Sequence, residues 1–272
     1  MIISISVVIY DYRQKDFHDL ISSLMLSIEY LLDKQYVETN LIIVNNNESI
    51  CSESEIIETL KTLCYKYDYK YIKSKENKGY GHANNIAIRE VRESSDFHIV
   101  CNPDIVFFDD TLFQAISFMT NQDNYSVGLL TPAIYDESNI LHYLCKRNPT
   151  FMRVFARRFP LPFIKKFLDK KAQEYNYTDK NYQQKIENVE FCSGCFMFFR
   201  TNVLSKLDSF DERYFMYFED ADITRRVLNK GYRIVYNPRF RVIHKWERAS
   251  MKSLKFTLIA IHSAFRYFWK WK

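Results

Sequence analysis

Glycine and proline are scarce, 5 and 6 among 272 residues. That scarcity excludes a collagen-like, low-complexity or largely disordered chain. A membrane-spanning helix needs about 20 apolar residues, and the longest charge-free stretch near the C-terminus, 256–265, has ten. The first residues, MIISISVVIYDY, carry no basic leader and no small-residue cleavage site, so they read as a strand and not as a signal peptide. Paired metal-ligand spacing is missing too. The six cysteines (51, 64, 101, 145, 192, 195) are scattered through apolar segments, with one Cys192-Ser193-Gly194-Cys195 spacing that leads into a strand. Free buried thiols in a reducing compartment are the expectation. The protein is expected to be soluble or peripheral, and cytoplasmic.

Aromatic residues are plentiful, with 20 Tyr and 22 Phe. The net charge of +5 hides two basic stretches. Residues 146–171 and 239–272 each hold nine basic residues and one acid, so the rest of the chain is acidic. Basic segments on an acidic protein imply an anionic partner: a phosphorylated ligand, a membrane surface or a nucleic acid.

The first 130 residues alternate between β-rich runs and helical stripes. Strands are predicted at 2–10, 41–44, 69–72 and 97–101. Helical periodicity is carried by Phe17 to Leu32 with Asp16 as N-cap, by Ile56 to Tyr67, by 83–91 and by Leu112 to Met119. That order predicts an α/β fold with a mostly parallel sheet flanked by helices. In such sheets ligands bind beyond the carboxyl ends of the strands, which directs attention to Asp11, Asn45 to Asn47, Asn77 and Asn102 to Asp104. Residues 147–188 read as an irregular or helical excursion. Beyond them, strands are predicted at 196–200, 232–236 and 241–243, a helix at 220–229, and a last helix from Ser250 to about Trp271.

Four segments could carry chemistry. Asn102-Pro103-Asp104 follows a strand directly, where a carboxylate can hold a hard divalent cation or simply form a turn. Glu219, Asp220 and Asp222 crowd a helix N-terminus behind the aromatic run 214–218, as caps or as a source of a general base. His244 follows an apolar strand, as a structural histidine or as a partner of Asp104 in a cation site. Asn77 to Asn85, with Gly79 and Gly81, opens a helix whose N-terminus can face a diphosphate.

In this order, the segments LIIVNNNES, NKGYGHANNIAI, NPDIVF, FCSGCFMFFR, FDERYFMYFEDADITRR and VIHKWERAS resemble the family 2 glycosyltransferases, in particular their rhamnosyltransferase-like branch. The resemblance covers nearly the whole chain outside about 135–188. It implies a GT-A type, Rossmann-like domain over 1–250 and a C-terminal amphipathic helical extension over 251–272. It implies an inverting transfer from a nucleotide-diphosphate sugar, with Mg²⁺ or Mn²⁺, in cell-surface polysaccharide assembly. By the same resemblance Asp104 and His244 hold the metal, Asp220 with Glu219 supplies the base, and Asp11, Asn45, Asn77, Gly79, Asn85, Asn102 and Arg226 bind the donor. Asn45 stands where many members have an acid facing the donor base, and the glycine usual after the C-terminal histidine is replaced around Glu247 and Arg248. The acceptor is expected to be a glycan or a polyprenyl-linked glycan. The basic-aromatic stretch, together with Phe268, Trp269 and Trp271, is expected to meet an anionic membrane at its inner face. No nucleic-acid module accompanies the basic stretches, so nucleic acid is not an expected partner. The other readings are a nucleotidyltransferase on a related scaffold, which would want a glycine-rich loop after the first strand, a non-enzymatic nucleic-acid- or membrane-binding protein, and a degenerate sugar-binding subunit.

Overall fold

The computed structural model describes residues 1–47, 53–151, 175–245 and 254–272. The basic-aromatic stretch 153–171, and the segment holding Glu247, Arg248 and Ser250, lie outside the described residues. The N-terminal half alternates as β1 (Ile2–Ile9), α1 (Gln14–Lys34), β2 (Glu38–Asn45), α2 (Glu53–Leu63), β3 (Tyr69–Lys73), α3 (Tyr80–Val91) and β4 (Phe97–Cys101). β1 is apolar and buried along nearly its whole length, as a strand covered on both faces must be. It pairs parallel with β2 on one side and β4 on the other, and β3 extends the sheet beyond β2. α1 buries Phe17, Leu20, Ile21, Leu24, Ile28 and Leu31, the stripe its 3.6-residue period requires. Its N-cap is Arg13 and not Asp16; Asp16 lies in the first turn, where its charge suits the helix dipole.

After β4 the sheet becomes mixed. β5 (Ile105–Phe107), α4 (Thr111–Thr120), β6 (Val127–Tyr135) and the two-residue strands β7 (Leu141–His142), β8 (Cys145–Lys146), β9 (Ile186–Glu187) and β10 (Phe191–Cys192) precede β11 (Phe196–Arg200). Then come α5 (Thr201–Leu207), α6 (Glu219–Asn229), β12 (Arg233–His244) and α7 (Leu254–Lys270). The sheet order is β3-β2-β1-β4-β11-β6-β12-β5. β11 runs antiparallel to both β4 and β6, whereas β6 and β12 are parallel.

Besides β5 and α5, which the sequence did not announce, two features depart from the sequence reading. β6 was not expected: Gly128 and Pro132 interrupt its apolar run, yet it is buried at eight of its nine positions. Pro132 pairs with Asn237 at the edge of a register shift that spans Asn237/Arg241, a place where a missing N–H is tolerated. The same shift carries Pro238, so the strands expected at 232–236 and 241–243 are one continuous β12.

The C-terminal helix is built into the fold. Tyr267 is fully buried beside Phe218, and Ser263 Oγ donates to the Met216 carbonyl at 2.8 Å. Asp222 of α6 accepts from Arg226 at 2.8 Å, from Lys270 and from the Trp271 indole N–H at 2.9 Å. Its side chain has no exposure. Among the described residues no helix is long and apolar enough to cross a membrane, and the five cysteines there are free and buried.

Removing one partner of a buried, hydrogen-bonded ion pair strands the remaining charges. Asp222→Ala should therefore cost about 3–5 kcal/mol, read as a lower midpoint in urea unfolding. A loss under about 1 kcal/mol would show that Asp222 does not hold α7 to α6.

Candidate active site

The carboxyl ends of β1, β2 and β4 open into a cleft of about 710 Å³. Asp11, Asn77, Gly79, Asn102 and Asp104 all line it, as the strand-end argument predicts. Its aromatic and apolar wall comes from Tyr10, Phe215 and Met216.

Gly79 makes the local geometry possible. Its φ is +102°, and a Cβ there would lie 1.9 Å from the Phe215 carbonyl oxygen. That same oxygen accepts the Tyr80 N–H at 2.9 Å. Asn77 Oδ1 accepts from Gly79 N–H at 3.0 Å and from Asn46 Nδ2 at 2.9 Å, closing the turn. Tyr80 then reaches across the site. Its hydroxyl lies 3.0 Å from Asn102 Oδ1 and 2.9 Å from the Gly194 carbonyl, and Asn102 N–H donates to Cys195 O at 2.9 Å. The segments NPD, CSGC and NKGY thus meet at one tyrosine.

Asp220 is bonded to this seam through Gly194, and Asp220, Glu219 and His244 are not among the residues that line the cleft. Oδ2 accepts the Gly194 N–H at 3.1 Å and Oδ1 the Ala221 N–H at 2.8 Å. Glu219 beside it is buried, 6% exposed, whereas Asp220 keeps partial solvent access. No hydrogen-bond partner for Glu219 Oε2 is found among the described residues. Burial, then the charge of Asp220, pushes the Glu219 carboxyl well above its usual range. Burial also raises Asp220, against the two backbone N–H groups that favour its charged form. Burial thus opposes the charged form of both, and more strongly at Glu219, which lacks the two backbone donors that Asp220 has.

His244 Nε2 lies 3.1 Å from Asp104 Oδ2. Burial disfavours the imidazolium, but the Cys195 sulfur and the Asp104 carboxylate outweigh it and raise its pKa to about 10. Among the described residues no cluster of three His, Cys, Asp or Glu is arranged to hold a metal. The protein offers Asp104 and His244, and further ligands would come from water or a bound anion.

Three residues expected to bind the donor sit outside the cleft. Asn45 points into the β2–β3 seam, where Nδ2 donates to the Tyr71 hydroxyl at 2.9 Å; its neighbour Asn46 lines the cleft instead. Asn85 is spent on the Phe210 backbone, accepting at 2.9 Å and donating at 2.8 Å. Arg226 binds Asp222 and the carbonyls of Leu207 and Ser209, at 2.6–2.8 Å. Three residues the sequence reading did not single out do face the cleft: Lys15, Tyr80 and Lys245. Lys245 is held by Asp16 at 2.9 Å and by Asp19. Its place directly after His244 was the available signal.

The chain matches the profile described as glycosyltransferase like family 2 over residues 5–259. It is 32% identical to the rhamnosyltransferase WbbL of Escherichia coli over 190 residues, 68% of this chain and 67% of that one. It is 28% identical over 180 residues to the N-acetylglucosaminyl-diphospho-decaprenol L-rhamnosyltransferase of Mycobacterium tuberculosis, 62% of this chain and 56% of that protein. Among solved structures it resembles the mannosyltransferase PcManGT of Pyrobaculum calidifontis in complex with GDP-Man and Mn²⁺, with TM-score 0.60 and 15% identity over 91% of this chain and 58% of that one. It also resembles GalNAc-T7 with UDP, GalNAc and Mn²⁺, with TM-score 0.63 and 12% identity over 90% of this chain and 45% of that one. The fold is that of the GT-A glycosyltransferases. The chain belongs to glycosyltransferase family 2.

The close approach at Gly79 gives a paired test. Gly231 also has positive φ, +83°, but nothing lies within 4 Å of a Cβ there. Gly231→Ala should cost about 1–2 kcal/mol, the backbone term alone. Gly79→Ala should cost more and weaken nucleotide binding, because the loop must part from Phe215. Thermal unfolding and nucleotide titration of both variants check this; equal costs would show that the approach to Phe215 is not tight.

Proposed function

We propose that this chain transfers a sugar, L-rhamnose from dTDP-rhamnose in the first instance, from a nucleotide-diphosphate donor to a glycan or polyprenyl-linked acceptor. The transfer inverts the anomeric carbon and serves cell-surface polysaccharide assembly at the cytoplasmic face of the membrane. The observation that carries the reading is the meeting of NPD, NKGY and the Glu219–Asp220 pair around Tyr80. The rhamnosyltransferase names of the sequence relatives support the choice of sugar.

Each residue has a task in this reading. Asp11, Asn77, Gly79 and Asn102 border the donor, with Asn46 beside Asn77 where Asn45 was expected. Asn85 and Arg226 act at a distance, by fixing the loop that leads into α6. Asp220, ionised and held by two N–H groups, takes the proton of the acceptor hydroxyl as that oxygen attacks. Glu219 stays protonated, so the pair carries one charge rather than two.

The charge balance of the cleft suits a divalent cation. Its lining holds Asp11, Asp16, Asp104 and Glu137 against Arg13, Lys15, Lys245 and Lys255. Lys245 is already paired with Asp16 and Asp19. Among the described lining residues acids and bases are equal in number, so added positive charge would help to stabilise a diphosphate as a leaving group. Asp104 would hold Mg²⁺ or Mn²⁺, joined by His244 once it gives up the proton that the neighbouring charges favour, and the cation when bound supplies that charge as a Lewis acid.

Asp220→Asn should lower transfer about 10²–10⁴-fold while donor binding survives, and Glu219→Gln should cost far less. Transfer at the wild-type rate by Asp220→Asn, with Glu219→Gln inactive, would reverse the assignment. Since burial raises the Asp220 pKa and only its ionised form accepts a proton, kcat should fall as pH drops through a value above the ordinary aspartate range. A rate that stays flat down to pH 4 would contradict this. Asp104→Ala should abolish metal-dependent donor binding; full activity in excess chelator would refute the metal role.

A further inference from the structure

α7 has two opposite faces. The inner face carries Ser263 and Tyr267, both buried, and Trp271, bonded to Asp222, while Phe268 packs on Phe218 at the border of the two faces. Phe268 and Trp271, expected from the sequence to meet a membrane, are therefore half-buried against the protein. The outer face carries Leu254, Leu258, Ile261, Phe265 and Trp269, which are 83, 67, 45, 69 and 75% exposed. At about 100° per residue these five fall within roughly 80° of arc. With a rise of about 1.5 Å per residue the stripe is about 22 Å long. A continuous apolar stripe of this kind marks an interaction site, not ordinary surface.

The charges beside the stripe decide what it meets. Residues 254–272 contain no Asp or Glu. Lys255 and Lys272 are exposed at its two ends, and Lys272 Nζ stands 3.6 Å over the Trp269 ring. An apolar stripe bounded by cations, with an indole near one end, suits the headgroup and upper acyl layer of an anionic bilayer.

We propose that α7 lies in the plane of an anionic membrane, with Leu254, Leu258, Ile261, Phe265 and Trp269 inserted. The stripe starts at the mouth of the active-site cleft. Lys255 and Phe256, in the first turn of α7, line that cleft, and Ser263 holds the carbonyl of Met216 in its wall. Docking therefore brings the cleft to the bilayer surface, where an acceptor on a lipid carrier can enter without leaving the membrane. That last consequence rests on the sugar-transfer reading; the docking does not.

Flotation with vesicles of phosphatidylglycerol and phosphatidylcholine, and with phosphatidylcholine alone, tests the docking without any substrate. The wild type should float with the anionic vesicles, less in high salt, and not with neutral ones. Leu258→Glu/Phe265→Glu, on an exposed face, should keep the wild-type melting temperature and bind at least ten-fold more weakly. In case that variant does not fold, quenching by brominated lipid is read on the wild type and on Trp269→Phe, which should lose most of the quenchable signal. Flotation by the glutamate variant equal to wild type, no preference for anionic lipid, or quenching unchanged by Trp269→Phe would overturn the proposal. So would a solution dimer abolished by the glutamates in a protein that binds no vesicles. Transfer to a water-soluble acceptor, measured on the same proteins, tests the activity separately. A wild type that floats but transfers no sugar counts against the proposed function and leaves the docking standing.

Discussion

The site depends on one close approach between two loops. At Gly79 the Phe215 carbonyl occupies the place of a side chain, and the next residue donates its N–H to that oxygen. This joins the loop before α3, which belongs to the parallel half, to the loop before α6, which carries the acids. The Tyr80 ring then extends the joint to Asn102 and Gly194, and through Gly194 to Asp220. A larger residue at 79 would separate all of these at once. Positive φ is the second condition, since an L-residue at +102° is strained whatever the space around it.

The loop that receives this contact is strained in its own right. Tyr217 and Phe218 both have φ of 68°, unusual for aromatic residues and costing on the order of 1–3 kcal/mol each. Such strain persists only where neighbouring structure over-determines it. Here α7 does so: Tyr267 and Phe268 pack on Phe218, and Ser263 holds Met216. Asp222, four residues after Phe218, donates its N–H to the Phe218 carbonyl at 2.8 Å while its carboxylate accepts from Arg226, Lys270 and Trp271. The C-terminal helix therefore reaches the acids through the strained turn in front of them.

Much of this was legible in the residues, and the gaps have physical causes. β4 and β11 fall on their expected bounds because each is a short, mostly apolar run that follows a polar turn, with His98 and Arg200 as the polar exceptions. β6 escaped because a strand buried on both faces has no alternation to detect, and its Gly128 and Pro132 resemble turn signals. Of the expected donor-binding residues, those directly after strand ends line the cleft. Asn45 does not, because successive side chains of a strand alternate, and the next residue, Asn46, not the last strand position, turns toward the ligand side. Asn85 and Arg226 lie within helices, where the sequence shows that they share a segment with the site but not which face they take. The inward turn of Phe268 and Trp271 was hidden for the same reason: composition marks α7 as aromatic and basic, and only packing decides which rings remain outside.

Access and burial divide the acid pair. Two adjacent carboxylates at one helix start disfavour each other's charge in a low dielectric. The backbone tells them apart. Gly194 and Ala221 aim their N–H groups at Asp220, and a carboxylate is the form that such donors favour. Glu219 has a desolvated oxygen and the neighbouring charge against its ionised form. Gly194 packs closely here as well: a Cβ there would stand 3.1 Å from Asp220 Cβ, so a larger residue would make one of the two shift by a few tenths of an ångström. The glycine in CSGC thus helps to position the acid 26 residues later, and the segment that resembles a redox pair serves by its backbone, with its sulfurs buried and free.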